Sequence, residues 1–276
     1  MNSILALIRK VLGKFNTLYR RLILSGGIFR KLIRKSWSPK KVNLGDRNRN
    51  FVCWGWETAD ITDADYVLNF HEPKLPLDNS SCSAIYSSAM IEHISDESVS
   101  KLFSEIYRVL NMGGSFRVVC PDLDKAIRAY KEDDLYYFLS NSMWLFNSIK
   151  QGALPKESLS LHNNVIRVLA SYIETGGGPI ADKKVFEEKF AELDKYEFAK
   201  WCVSLLNKDK ITKDTNLGHI NAFDFSKLER MLYAAGFSKV TLKTATEYDS
   251  SDFRKPEFNR IEKRLDWLCV FVEAQK

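Results

Sequence analysis

The chain lacks several features that would place it in common structural classes. Its 276 residues include only five cysteines, and no two of them form a Cys-x-x-Cys pair. Cysteines that are odd in number and widely scattered argue against a disulfide framework and a structural zinc site, and they favour a reducing compartment. No apolar run approaches the roughly 20 residues that a membrane-spanning helix needs. Internal repeats and low-complexity tracts are also lacking, so we expect one large domain with appendages.

Acidic residues are missing from residues 1–41, which hold eleven lysines and arginines. Because the whole chain carries +6, residues 42–276 carry −5, and the basic character belongs to one segment. This mildly acidic body does not support a broad nucleic-acid-binding surface. In the basic segment, apolar residues between Ile4 and Leu22 recur every three or four positions, with the basic side chains opposite them. That spacing predicts an amphipathic helix with a cationic face.

Three interpretations of this basic arm, residues 1–40, remain open. The helix could lie in an anionic membrane interface, where each basic side chain adds about 1 kcal/mol. It could instead pack on its own domain with its basic side chains in water. A mitochondrial transit peptide or an RNA-binding arm is the third interpretation. A signal peptide is not expected, because Arg9, Lys10 and Lys14 interrupt any apolar core.

The middle of the chain has the pattern of a parallel α/β unit. Ser83–Ser87 reads as a short buried strand, and Ser98–Leu110 carries apolar residues at helical spacing. Gly113-Gly114 is expected to end that helix and to turn the chain into a second buried strand, which leaves through Pro121-Asp122. In an open parallel sheet, the loops after such strands meet at the carboxyl edge, where ligands bind.

The residues of this block carry a family resemblance. The run from Ala84 to Ile94, followed by the run from Glu105 to Gly114, resembles the class I S-adenosylmethionine-dependent methyltransferases. Within them it is similar to a type 11-like subgroup associated with sugar and surface-polysaccharide biosynthesis, here with a degenerate glycine-rich motif. The resemblance implies an α/β, Rossmann-like sheet that is mostly parallel, with an antiparallel last strand between the fifth and the sixth. Residues 64–70 and 265–273 read as the third and the last strand. Asn259-Arg260 is expected in the loop before the last strand, either near the acceptor or in an exposed ion pair. The expected domains are the basic arm 1–40 and a methyltransferase-like domain 41–276, with a helical insertion at 130–216.

The resemblance also implies which residues contact the cofactor, S-adenosylmethionine. A first strand ends at Gly45, where the backbone must approach the ligand closely. Asp60 stands where the family has an acid that accepts hydrogen bonds from the ribose hydroxyls, although a turn cap is the alternative. Asn69 replaces a more usual acid near the adenine. The implied cofactor-binding residues are Gly45, Asp46, Asp60, Asn69, Ser87 and Ser88.

Methyl transfer from a sulfonium asks little of side chains beyond alignment of the acceptor and, for some acceptors, removal of a proton. The residues expected to serve the acceptor are His93, Asp122 and His219, with Glu92 and His162 as further candidates for the base. The alternative for Glu92-His93 is a capping interaction with the next helix, and a lone histidine is often a surface or core residue. No metal site is expected. The aromatic residues of the insertion either line an acceptor pocket or build the insertion's own core.

The sequence therefore predicts methyl transfer to an oxygen of a saccharide or surface-glycan precursor. We expect a cytoplasmic protein, peripheral on the inner face of a membrane, with a small-molecule or glycan acceptor and no nucleic-acid partner. The alternative is a catalytically degenerate protein that uses the same fold as a membrane-associated scaffold. Arg47 and Arg49 in the glycine-poor turn, together with Asn69 and Ser83 in place of acids, keep this alternative open.

Overall fold

A computed structural model describes residues 39–45, 55–139, 160–170, 180–205 and 218–276 of the chain. The predicted helix of the basic arm, the turn after Gly45 with Asp46, and the two arginines of that turn lie outside the described residues. Among the residues that are described, no helix combines the length and apolar character that crossing a bilayer would require.

The centre of the fold is a seven-stranded sheet in the order β3-β2-β1-β4-β5-β7-β6. All neighbouring strands run parallel except β7, which is antiparallel to both β5 and β6. This arrangement confirms the predicted mostly parallel sheet with its last strand inserted antiparallel between the fifth and sixth. The strands are β1 Lys40–Leu44, β2 Glu57–Asp60, β3 Tyr66–Val67, β4 Cys82–Ser88, β5 Leu110–Pro121, β6 Lys239–Lys243 and β7 Cys269–Gln275.

Helices cover both faces of the sheet and continue the chain beyond its edge. A one-turn 3-10 helix at Ile91–His93 follows β4, and α1 then runs back to β5. Helices α2 to α6 fall between β5 and α7, and α8 lies between β6 and β7. The α-helices are α1 Asp96–Val109, α2 Leu123–Lys131, α3 Leu135–Leu139, α4 Leu161–Ala170, α5 Lys183–Glu192, α6 Lys195–Ser204, α7 Phe225–Ala234 and α8 Pro256–Leu265.

Three predicted boundaries were wrong. Helix α1 ends at Val109 and β5 begins at the next residue, so Gly113-Gly114 lies inside the strand instead of ending the helix. Gly113 adopts a left-handed φ of 78° there, and the pairing of β4 with β5 is irregular at this point. The third strand is only Tyr66–Val67 instead of residues 64–70, because the chain turns at Asn69, whose side chain accepts the His71 N–H.

The last strand was also predicted too early, at residues 265–273, whereas it occupies Cys269–Gln275. The preceding residues belong to α8, which fills most of what was expected to be a loop. Asn259 and Arg260, which were expected to lie in that loop near the acceptor, are on this helix and line a cavity beside Tyr248 and Arg254.

The described aromatic residues of the insertion mostly pack on one another. Phe186 and Phe198 are fully buried, and their rings meet edge to face at 5.2 Å. Tyr130 and Phe190 join the same cluster, with ring centroids 4.7 Å apart. These side chains therefore form the core of the helices α2 and α4 to α6. Tyr136 is the exception, since it is largely exposed.

One buried ionic cluster joins β5 to the C-terminal part of the fold. Arg117 is fully buried in β5 and donates to both carboxylate oxygens of Glu262 on α8, at 2.8 and 2.6 Å. It also donates to Glu273 of β7 at 2.7 Å and to the carbonyls of Thr244 and Glu247 at 3.0 Å each. All five N–H groups of the guanidinium thus have an acceptor. Burial of an arginine is tolerable only when its charge is paired and its donors are satisfied in this way.

The cluster gives a stability prediction. We expect Arg117→Met to lower the free energy of unfolding at pH 7 by about 3 to 5 kcal/mol, because it leaves two buried carboxylates without their cation. Burial already raises the pKa of Glu262 and of Glu273, and loss of the cation raises both further. A carboxyl group whose folded-state pKa lies above its unfolded value stabilises the fold at low pH, and this stability is lost as pH rises. The difference in free energy of unfolding between the variant and the original protein should therefore shrink on acidification.

Urea denaturation of both proteins at pH 7 and pH 5 measures this deficit. The matched control is Arg264→Met on the same helix, where the arginine is exposed and the expected change is within about 0.5 kcal/mol. An Arg117 variant as stable as this control would contradict the importance of the cluster.

Candidate active site

The first strand ends in a tightly packed glycine. Gly45 follows β1, has a left-handed φ of 77°, and its N–H donates to the Ala59 carbonyl at 2.8 Å. A Cβ atom at this position would lie 2.5 Å from Cγ of Met90, which belongs to the loop after β4. Both the conformation and the close contact require glycine here. The glycine thus brings the end of β1 against the ends of β2 and β4.

Asp60 ends the neighbouring strand β2 and is almost completely buried, with 5% of its surface exposed. Its Oδ1 accepts the N–H of Ile61 at 2.6 Å, so the carboxylate also stabilises the turn that follows the strand. Asn69 lies after β3 in an exposed turn, where its side-chain oxygen accepts the His71 N–H. The two predicted cofactor contacts therefore follow adjacent strands, but Asn69 is more open to solvent than Asp60.

The end of β4 carries the predicted serine pair. Ser87 pairs with Leu44 across the sheet and is buried, and its hydroxyl has no hydrogen-bond partner among the described residues. Ser88 is half-buried at the last position of the strand. Ala89 then adopts a left-handed φ of 51°, a strained conformation for alanine that is held by its N–H bond to the Val119 carbonyl. Strain of this kind is frequent in loops that bind ligands.

Beyond this loop, the fold brings two adjacent side chains into contact with a third that is distant in the sequence. Glu92 and His93 lie in the short 3-10 helix after β4, and His219 lies in the segment that precedes α7. The imidazole rings of the two histidines meet edge to face at 5.1 Å. Nε2 of His219 is 3.9 Å from Oε1 of Glu92. We refer to Glu92, His93 and His219 as the switch-loop triad.

Backbone hydrogen bonds hold the triad in place. The Glu92 carbonyl accepts the N–H groups of Ile220 and Asn221, at 2.9 and 3.1 Å. His219 donates its own backbone N–H to the carbonyl of Ala170 at the end of α4. The cap of α1 is instead Ser95, whose hydroxyl accepts the Ser98 N–H. The interpretation of Glu92-His93 as a helix cap was therefore wrong.

Burial perturbs the charge state of two members of the triad. Desolvation raises the pKa of Glu92 to about 8, because its carboxylate lies away from water, and no cation among the described residues pairs with it closely. Desolvation and the neighbouring His93 lower the pKa of His219 to about 3. At neutral pH His219 is therefore an uncharged lone-pair donor, and Glu92 is mostly protonated. A perturbed pair of this kind at a strand end is typical of functional sites.

Asp122 is at the carboxyl end of β5, as predicted, and it caps helix α2. Its side chain accepts the N–H of Asp124 at 3.0 Å, and its backbone N–H donates to the Leu268 carbonyl. Burial raises its pKa. The residue thus has a structural role in addition to its predicted place at the edge of the sheet.

His162 is not brought to this edge. Its Nε2 lies 3.2 Å from the Ala181 carbonyl and its ring packs on Phe186, so it belongs to the core of the insertion. Asn163 likewise bonds the backbone N–H groups of Ile180 and Ala181. Both residues link α4 to the start of α5.

The sequence identified Glu92 only as one of several candidate bases and missed its contact with His219. The two residues are separated by strand β5 and the whole insertion, and no periodic pattern connects them. Only local indications of the site were present in the sequence. Glu92-His93 follows a predicted buried strand, and His219 precedes a predicted helix.

Part of the chain is similar in sequence to a known family of domains. Residues 26–118, about a third of the chain, match a family described as a methyltransferase domain. The match begins inside the basic arm and ends within β5, so it contains Gly45, Asp60, Ser87 and the first two members of the triad. No curated protein matches the chain in sequence.

Solved structures of methyltransferases resemble the chain only distantly. An S-adenosylmethionine-dependent methyltransferase from Mesorhizobium loti is 14% identical, with 90% of this chain and 95% of that chain covered and a TM-score of 0.39. One from Archaeoglobus fulgidus is 10% identical, with 96% and 99% covered and a TM-score of 0.39. Phosphoethanolamine N-methyltransferase 2 from Haemonchus contortus, solved with S-adenosylmethionine, is 12% identical, with 91% and 52% covered and a TM-score of 0.37.

At these identities and scores the three structures add nothing to what the strand order already shows. The sheet has the predicted order with its antiparallel last strand, and the matched segment supplies its first four strands and most of the fifth. Residues 26–118 are therefore similar to a methyltransferase domain, and the sheet that contains them has the strand order that the resemblance of the sequence implied.

Proposed function

We propose that this protein transfers a methyl group from S-adenosylmethionine to an oxygen of a saccharide or surface-glycan precursor. The observation that carries the proposal is the placement of Gly45, Asp60 and Ser87 at the carboxyl ends of three adjacent strands, beside the switch-loop triad. Ligands of open α/β sheets bind at this edge.

The described residues fit the cofactor. The Asp60 carboxylate offers acceptors only, which suits the two hydroxyls of a ribose. Gly45 allows the backbone to come close without a side chain, although Met90 already occupies one side of it. Ser87 has a buried hydroxyl whose hydrogen bonding is unmet in the described part of the chain, and a polar ligand would satisfy it. Bound there, the cofactor supplies an electrophilic methyl group on a sulfonium.

An oxygen acceptor is supported by the residues beyond the cofactor contacts. A hydroxyl must lose a proton as it is methylated, and a positioned base makes this easier. His93 and His219 lie in contact at this edge, Glu92 is buried beside them, and Asp122 ends the adjacent strand. We propose that His93, Asp122 and His219 orient the acceptor, and that His93 or Asp122 receives its proton. The resemblance of Ala84–Gly114 to sugar-modifying enzymes is what favours a saccharide.

We extend the proposal to the basic arm and to the helical insertion. The basic arm would bind the anionic inner face of a membrane, and the helical insertion at 130–216 would help to shape the acceptor pocket. A lipid-linked or membrane-bound acceptor would then be within reach of the edge of the sheet. We propose a glycan or small-molecule acceptor and no nucleic-acid partner, in line with the acidic body of the chain.

The first prediction concerns the cofactor. Calorimetric titration with S-adenosylmethionine and with S-adenosylhomocysteine should show binding of each at one site. Asp60→Ala should weaken that binding by about 1 to 3 kcal/mol, because the ribose hydroxyls lose a charged acceptor. Glu72→Ala removes a carboxylate from an exposed position near the same edge and serves as the matched control.

The control variant should bind the cofactor as the original protein does. A folded protein that binds neither ligand at millimolar concentration would overturn the proposed reaction and favour the scaffold alternative. Binding that is unchanged in Asp60→Ala would show that this carboxylate only stabilises the turn at Ile61.

The second prediction concerns the membrane. Removal of residues 1–25 deletes the amphipathic stretch from Ile4 to Leu22 and leaves the matched segment intact. We expect the full chain to float with vesicles that contain anionic lipid and the shortened chain to remain in the soluble fraction. Vesicles of neutral lipid and high salt should each weaken the binding of the full chain, because the attraction is partly electrostatic. Equal flotation of the two chains would contradict the membrane proposal.

A further inference from the structure

We propose that the switch-loop triad is a binding site for a divalent first-row transition metal ion of the Zn²⁺, Co²⁺ or Mn²⁺ type. Glu92, His93 and His219 each offer one ligand atom, and these atoms all lie within 4.8 Å of one another. The three residues come from two separate segments, which the backbone hydrogen bonds of Glu92 tie together. The sequence alone indicated no such site, because the histidines are 126 positions apart.

The two imidazole rings are oriented for metal binding. Nδ1 of His93 lies 3.0 Å from the Gly218 carbonyl, and because a carbonyl can only accept, Nδ1 carries the proton. The lone pair is then on Nε2. Nε2 of His219 lies 3.9 Å from Oε1 of Glu92, so this ring nitrogen is directed at the carboxylate. Metal-binding histidines usually donate one ring N–H to a backbone carbonyl in this manner, which fixes the tautomer and the ring.

Glu92 supplies an independent indication that a ligand belongs here. Its side chain is 2% exposed, and neither carboxylate oxygen has a hydrogen-bond partner among the described residues. Buried polar atoms are nearly always satisfied, so two unmet oxygens on one side chain call for a missing partner. A cation between Glu92 and the two imidazoles would satisfy the carboxylate and use both lone pairs.

The donor set selects the kind of ion. Two imidazole nitrogens and one carboxylate suit zinc and its first-row neighbours, whereas Mg²⁺ and Ca²⁺ prefer oxygen ligands alone. Bond lengths of about 2.0 to 2.2 Å bring the ligand atoms of such a site to roughly 3.3 Å from one another. Small rotations of all three side chains would provide the contraction from separations of up to 4.8 Å. Three protein ligands leave a further coordination position open, as in catalytic metal sites.

One consequence rests on the proposed function. An ion at the triad would lie at the edge of the sheet where the acceptor must bind, and an acceptor hydroxyl that coordinated it would lose its proton more easily. His93 and His219 would then hold the ion instead of receiving the proton themselves. The binding of the ion does not depend on this consequence.

The test is a metal titration of the full chain after removal of metals with a chelator, with no S-adenosylmethionine present. We expect one Co²⁺ per chain, detected by visible absorption, and its displacement by Zn²⁺ but not by Mg²⁺. Glu92→Gln and His219→Ala should each weaken Co²⁺ binding by about a hundredfold. His71→Ala is the matched control, because His71 is exposed and outside the triad, and it should bind Co²⁺ as the original protein does.

A second measurement avoids variants that could misfold. Diethyl pyrocarbonate modifies accessible histidines, and mass spectrometry locates the modified residues. Zn²⁺ should protect His93 and His219 in the original protein and leave His71 reactive. The inference would be overturned by equal modification with and without Zn²⁺, by absence of Co²⁺ binding, or by a thiolate absorption band that places the ion on cysteine. The metal titration uses no cofactor, so it tests the ion site independently of the proposed function. A protein that binds the ion but not S-adenosylmethionine would contradict the proposed function and support the ion site.

Discussion

The architecture depends on the buried guanidinium of Arg117. From the middle of β5 it reaches Glu262 on α8, Glu273 on β7 and two backbone carbonyls of the connection between β6 and α8. Charges in an interior are tolerated only when paired and fully hydrogen-bonded, and five hydrogen bonds hold this side chain in that way. That arrangement fixes the antiparallel strand and its preceding helix against the parallel half of the sheet. Tyr248 covers the guanidinium face, with its ring centre 4.4 Å away.

With the C-terminal half fixed, the ends of the parallel strands form one continuous edge. Gly45 closes the distance between β1 and the loop after β4, and it can do so because it lacks the Cβ that would strike Met90. Asp60 and Ser87 follow on either side. The strained Ala89 then leads the chain into the 3-10 helix that presents Glu92 and His93 to His219. The proposed cofactor contacts and the triad are therefore consecutive parts of the same edge, which is the physical basis for the proposal that they form one active site.

The features that could be predicted from the sequence are those that adjacent residues encode. Apolar runs indicated β4, β5 and β7. The carboxyl ends of parallel strands lie at one edge of a sheet, and this rule predicted that Gly45 and Asp60 are neighbours. Boundaries were predicted less well where a side chain decides them, as at Asn69, which ends the third strand by capping His71. Gly113-Gly114 was wrongly predicted to end a helix. A glycine with a left-handed φ occurs at irregularities in strands as well as at helix ends, and the sequence does not distinguish the two.

Long-range pairings could not be predicted. Arg117 and Glu262 are 145 positions apart, and their side chains read as ordinary surface charges in the sequence. The same holds for Glu92, whose unusual pKa arises from burial under segments that follow it by more than a hundred residues. Such partners become visible only when the fold has brought them together, and they account for most of what the structure adds to the sequence.

The most direct test of the central claim is a crystal structure of the full chain with S-adenosylhomocysteine. The account predicts that the ribose hydroxyls meet the Asp60 carboxylate, that the ligand passes over Gly45, and that its sulfur lies on the side of the switch-loop triad. Density for the ligand at any other place on the protein, or a complex in which Asp60 contacts only the turn at Ile61, would contradict it.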